Sequence, residues 1–146
     1  MTTDSDAARI RALLERQAKA IHVKDADAAL ASYAPDAVRF DLAPPLATAG
    51  PRARSRPDLE AWFATWDGSI GFDLRDLGIT VGGDLAFCHG FVRISGTKTD
   101  GERVAVWARS TVCLRRTGGA WWIVHEHTSV PFYMDGSLKA AVDLQP

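Results

Sequence analysis

The sequence predicts an α+β domain with helices laid across one face of a curved sheet, and three observations carry that prediction. Apolar residues in the first third recur at helical spacing. Everything after Gly68 reads as long strand segments. Glycine-bearing turns at Gly82-Gly83-Asp84, Asp100-Gly101 and Thr117-Gly118-Gly119 separate those segments. Helices first and an antiparallel meander second place the helices on one side of a sheet.

The first helix is read from Ile10, Leu13, Leu14, Gln17, Ala18 and Ile21, which form one stripe at three- and four-residue steps. Ser5 or Asp6 is positioned to cap it by accepting a backbone N–H. Lys24 and Asp25 interrupt the stripe, and a second helix is expected from Ala28 to Tyr33, capped by Asp27 and stopped by Pro35. A strand is expected over Ala37 to Leu42. A loop through Ala43-Pro44-Pro45-Leu46 then runs to Arg56, long enough to be functional rather than a mere connection. Pro57 and Asp58 open a third helix, whose apolar stripe is Leu59, Trp62, Phe63 and Trp66.

Four strands follow, over Phe72 to Val81, Leu85 to Lys98, Arg103 to Arg116 and Trp121 to Val130. All four exceed the usual strand length of about 5–6 residues, which requires strong curvature or bulges. Gly90 and Gly96 are the candidate bend points.

Composition narrows the function classes. The chain has 146 residues, is 47% hydrophobic and 24% charged, and carries a formal net charge of -1. No basic stripe is present to neutralise phosphates, so nucleic acid is not an expected partner. No apolar run approaches the roughly 20 residues that span a bilayer. The polar, acidic start MTTDSDAARIR does not read as a secretory signal, which makes cytoplasmic residence the expectation. Cys88 and Cys113 read as free buried thiols.

Strand alternation assigns the polar groups to faces. Trp121, Ile123, His125, His127 and Ser129 share one parity. Trp107, Arg109, Thr111 and Cys113 share another set, as do Phe87, His89, Phe91 and Arg93, while Arg39 and Asp41 share a face of the first strand. This mixed aromatic and charged face is expected to line an interior, because charge on a buried face is costly unless it serves a ligand or a partner. The plainer aliphatic face is expected to form a dimer contact.

Each polar group has two readings. His125 and His127 are either two metal ligands or hydrogen-bonded histidines near a ligand, and a bare H-x-H favours the second, so no metal is assigned. Arg93 and Arg109 either clamp a carboxylate or enolate, or pair internally with Asp41 or Glu126. Asp41 is either a general base or a turn residue that fixes the Ala43-Pro45 segment. Trp62 and Trp66 read as core, with one indole open to the cavity. No P-loop, dinucleotide fingerprint, Ser-His-Asp arrangement or zinc-protease spacing occurs.

Tyr33-Ala34-Pro35-Asp36-Ala37, the strand ending in Phe40-Asp41 and the tryptophan-bearing helix resemble the nuclear-transport-factor-like superfamily. The segments Phe40-Asp41-Leu42-Ala43-Pro44-Pro45-Leu46, Trp107-Ala108-Arg109-Ser110-Thr111 and Trp121-Trp122-Ile123-Val124-His125-Glu126-His127-Thr128-Ser129-Val130-Pro131-Phe132 resemble its SnoaL-like, ketosteroid-isomerase-homologue branch. The resemblance spans essentially the whole chain. It implies a cystatin-like cone with the helices on the concave face of a strongly curved mixed or antiparallel sheet, a central pocket and a homodimer through the sheet. It also implies one domain over 1–146, with a core over about 5–132 and a tail over 133–146.

In such isomerases a general base ends the first strand, and that position falls on Asp41. The tyrosine of their first helix falls here on Gln17, and their late-strand acid on Ser110 or Thr111, so the usual oxyanion donors are absent. Two functional readings follow from the resemblance. One is a cofactor-independent isomerase or cyclase acting on a small apolar carbonyl or carboxylate compound, with Asp41 as base and Arg109 and His125 stabilising an enolate. Its ligand contacts would be Gln17, Trp62, Trp66, His89, Phe91, Arg93, Trp107 and His127. The other is a non-catalytic dimeric module that binds a metabolite in the same pocket.

Overall fold

The computed structural model describes residues 2–146. Helix α1 spans Thr3–His22, and Thr2 caps it by accepting from the Ser5 N–H. The expected caps do other work. Asp6 is buried and accepts from Trp121 Nε1 at 3.2 Å and from Arg116 Nη1 at 2.8 Å, which ties the helix start to the far end of the sheet. Burial alone would raise the Asp6 carboxyl, but these two bonds and the nearby arginines hold it below the usual carboxylate range.

Helix α2 covers only Ala26–Leu30 and is capped by Asp25, not Asp27. It ends before Tyr33, because the chain has already turned into strand β1, Tyr33–Phe40. Pro35 lies inside β1, where a break in the pairing with the last strand tolerates its missing N–H. The long loop holds a two-residue strand, β2 (Thr48–Ala49), and a 3-10 turn over Gly50–Arg54. Helix α3, Arg56–Phe63, is capped by Ser55 and has Pro57 in its first turn. Four long strands complete the chain: β3 (Trp66–Gly82), β4 (Leu85–Lys98), β5 (Arg103–Thr117) and β6 (Ala120–Ser129).

The six strands form one curved sheet in the order β2-β1-β6-β5-β4-β3. All neighbours run antiparallel except β1 and β6, which run parallel, so the sheet is mixed. Helix α1 packs across the concave side. Its Ile10, Leu13 and Leu14 meet Cys88, Leu114 and Ile123 of the sheet in the main core. A second core gathers Ala26, Phe63, Trp66 and Ile70, with Trp62 packed against it. Among the described residues, no helix is long and apolar enough to cross a membrane. Both cysteines are free; Cys88 is buried and Cys113 is half-buried.

Three irregularities bend the sheet and displace side-chain parity. Strand β3 carries extra residues between Asp67 and Gly71 and again between Arg75 and Gly78. Strand β6 carries one at Val124, because Cys113 pairs with His125 while the next residue, Leu114, pairs with Ile123. Gly90 sits opposite the second β3 bulge, where a Cβ would lie 3.0 Å from the Arg75 carbonyl oxygen and 3.2 Å from Leu77 Cα. Both contacts are backbone and yield poorly. Gly90→Ala is therefore expected to cost about 1–3 kcal/mol, read as a lower urea midpoint at unchanged slope. Gly96, at φ 148°, leaves space for the Trp66 ring, 3.1 Å from where a Cβ would stand.

Candidate functional site

The bulge at Val124 decides which polar groups face inward. Before it, Trp121 and Ile123 point into the core; after it, Glu126 and Thr128 take the inner side, in register with Val112 and Ser110. His125 and His127 are thereby turned to the convex outer face. Strands β4 and β5 follow the same rule, with Cys88, Val92, Ala108 and Val112 buried inward. The face assignment read from strict alternation is thus reversed, and the plainer face lines the interior.

That interior holds a cavity of about 50 Å³ between α1 and the sheet. Its apolar wall includes Leu14, Phe72, Leu74, Leu77, Val92 and Val112. Polar groups are few: Gln17 from α1, Ser110 from β5, and Glu126 and Thr128 from β6, with the Cys88 thiol nearby. Ser110 and Thr128 are direct cross-strand partners, as are Val112 and Glu126, so the polar groups form one arc along the β5–β6 seam. Burial pushes the Cys88 thiol up to about 11, which leaves it protonated and unreactive.

Glu126 is the anchor of the arc. The Tyr33 hydroxyl donates to both of its oxygens, at 2.9 and 3.0 Å. Arg39 Nη2 donates to Oε1 at 3.1 Å and also to Asp41 Oδ1 at 3.2 Å, while Nη1 donates to the Ala53 carbonyl at 3.2 Å. The guanidinium also stacks over the Tyr33 ring, 4.6 Å from its centroid. The network exists because β1 lies parallel to β6 with Arg39 opposite Glu126. Burial, and then the neighbouring Glu126 charge, raise the Tyr33 hydroxyl well above its ordinary value, so it acts as a neutral donor.

The residues nominated from sequence divide sharply. Gln17 and Phe91 border the cavity, Gln17 donating to the Ala29 carbonyl at 3.3 Å and Phe91 lying beside the bare backbone of Gly90. Asp41 sits at the rim, exposed and paired with Arg39. Arg109 is on the outer face, where its Nε donates to Ser129 Oγ at 3.2 Å. His125, also outward, bonds the Val38 carbonyl through Nδ1 at 2.8 Å and meets the edge of Phe40. Asp41, Arg109 and His125 therefore do not surround one hollow.

His89, Arg93, Trp107 and His127 share the outer face as well, Arg93 donating to Ser95 Oγ. Trp62 and Trp66 belong to the second core, with Lys98 Nζ over the Trp66 ring at 3.8 Å. No group of three or more His, Cys, Asp or Glu side chains that could hold a metal occurs among the described residues. Sequence reasoning did not single out Tyr33 or Thr128 as cavity or anchor residues; Ser110 entered it only as one of two positions matching the isomerases' late-strand acid, and Arg39 only as a member of the mixed face. Glu126 entered it only as an ion-pair partner, a role it does fill, though with Arg39.

With this geometry in view, comparison with known proteins is informative. The family model described as a SnoaL-like domain matches residues 10–133, most of the chain. The chain belongs to the SnoaL-like family. Among solved structures, an NTF2-like protein of unknown function from Pseudomonas putida KT2440 is similar at 33% identity. The match covers 100% of each chain, with a TM-score of 0.87.

An NTF2-like superfamily protein from Salmonella enterica serovar Typhimurium shares 16% identity over 93% of this chain and 98% of its own, with a TM-score of 0.78. A ketosteroid isomerase-like protein from Erwinia carotovora atroseptica shares 21% over 85% of this chain and 95% of its own, with a TM-score of 0.71. These last two carry the fold alone. A search of the curated proteins finds no match. The SnoaL-like assignment thus accounts for the cone, and the Glu126 anchor has to be read from this chain's own residues.

Proposed function

We propose that this SnoaL-like domain binds a small neutral molecule in the concave cavity, presenting a hydroxyl or carbonyl group to Ser110, Thr128 and Glu126. One observation carries the reading: a short polar arc is anchored by an ion-paired carboxylate within an otherwise apolar wall. No cation lines the cavity among the described residues, and both Nη groups of Arg39, though not its buried Nε, are taken by Glu126, Asp41 and the Ala53 carbonyl. An anionic ligand would have no partner there. Arg39 and Tyr33 both donate to the Glu126 carboxylate and hold it in place at the end of the arc. We further propose that two copies pair through the outer face of the sheet, where Phe40 and Phe87 are 37% and 49% exposed beside Phe91 and Trp107.

The test uses small probes of four heavy atoms, propan-2-ol, acetone and acetate, titrated against the ¹⁵N-labelled chain. The neutral pair is expected to shift the amides of Ser110, Val112 and Thr128, and acetate is not. Glu126→Gln is expected to weaken propan-2-ol about tenfold, the size of a hydrogen bond to a charged acceptor. Acetate shifting the same amides as strongly as the alcohol would defeat the reading.

A further inference from the structure

A second space lies outside the cavity, on the seam between α1 and β3. It is a groove of about 430 Å³ between α1 and β3, lined by Glu15, Ala18, Lys19 and His22 of the helix and by Phe72, Asp73 and Leu74 of the strand. Phe72 and Leu74 border both spaces. Two side chains on the sheet's edge strand are therefore the wall that the cavity and the groove have in common. On α1 the division follows helical geometry: Leu14 and Gln17 face inward, while Glu15, Ala18, Lys19 and His22 form the adjacent flank.

The seam is fastened at both ends and open between them. Arg11 donates to the Leu77 carbonyl at 3.1 Å, His22 Nδ1 bonds the Ile70 carbonyl at 2.7 Å, and Lys24 donates to the Trp66 carbonyl at 2.7 Å. Between Ile70 and Leu77, no side-chain hydrogen bond from α1 reaches the strand among the described residues. That unfastened stretch contains Phe72 and Leu74, and the two β3 bulges flank it. An edge strand also offers backbone groups that no neighbouring strand takes.

We propose that the groove is the outer half of one binding site and that ligands enter past Phe72 and Leu74. The occupant is an amphiphile: a compact neutral hydroxyl or carbonyl head in the cavity, an apolar stem crossing the Phe72–Leu74 wall, and a polar end among Glu15, Lys19 and His22. Glu15 and Lys19 carry opposite charges, which suits a neutral or zwitterionic end. The proposal rests on the cavity reading above and adds to it a ligand longer than the cavity.

Straight-chain alcohols test it directly, because propan-1-ol spans little more than the cavity and octan-1-ol must run well beyond it. Burying methylene groups strengthens binding by about three- to fourfold each, so octan-1-ol is expected to bind at least about tenfold tighter even with partial burial. It is also expected to shift the amides of Glu15, Lys19 and Asp73 in addition to those of Ser110 and Thr128. Lys19→Trp, a surface change that fills the groove, is expected to bring the two affinities within about threefold. Equal affinities in the unaltered protein, or octan-1-ol shifts confined to residues away from α1 and β3, overturn the groove while leaving the cavity reading intact. Failure of propan-1-ol to shift Ser110 and Thr128 overturns the cavity reading and the groove with it.

Discussion

Arg39→Met is expected to destabilise the protein by about 3–5 kcal/mol, the cost of leaving a buried charge without its partner. Glu126 is 9% exposed, and Arg39 is its only cationic partner among the ion pairs of the described residues. The Tyr33 hydroxyl would remain, but one neutral donor does not replace a guanidinium. For a chain of 146 residues the loss corresponds to a melting temperature lower by roughly 10 °C. The double variant Arg39→Met with Glu126→Leu removes both charges together and is expected to recover most of the loss. Calorimetric melts of the single and double variants decide it: a double variant no more stable than the single one would show that the pair is not the source.

The same network sets an alkaline limit. Burial and the Glu126 charge raise Tyr33 well above 10.0, so between that value and its folded-state value the folded chain keeps a proton that the unfolded chain loses. Stability is therefore full below about pH 10 and falls as pH rises beyond it. Tyr133, whose hydroxyl bonds Asp143, is raised in the same direction and adds to the slope. Tyr33→Phe is expected to flatten the slope without abolishing it.

The limits of sequence reading can be traced to single residues. Strands β4, β5 and β6 were legible to within a residue or so, because glycine turns fix their ends and alternation fills them. Gln17 was legible as a cavity residue because helical period is not interrupted along α1. The inward face was not, since one extra residue at Val124 exchanges the parity of Trp121 and Ile123 with that of Glu126 and Thr128. No local signal marks that bulge: Ile123-Val124-His125 alternates as well as any strand. The anchor was hidden for a different reason. Tyr33 and Arg39 reach Glu126 across 93 and 87 residues, through a parallel pairing of β1 with β6 that no turn specifies.

Thr111→Arg is expected to abolish the proposed pairing of two copies without disturbing the fold. Thr111 is exposed and lies between His89 and His127 in the β4–β5–β6 register, near the middle of the outer face. In one copy an arginine there stands in water and costs little. In a face-to-face pair it is buried in each copy beside Arg109, while Asp73 of β3, an acid on the same face, stands across from Arg93 rather than beside Thr111. An uncompensated buried charge costs several kcal/mol, and the pair incurs it twice, so association is expected to weaken by about a thousandfold or more. Thr111→Val keeps the position neutral and is expected to preserve association. Sedimentation of the three proteins at micromolar concentration separates the cases. If all three sediment alike, the exposed Phe40 and Phe87 belong to some other contact, and the outer face of this sheet is not where two copies meet.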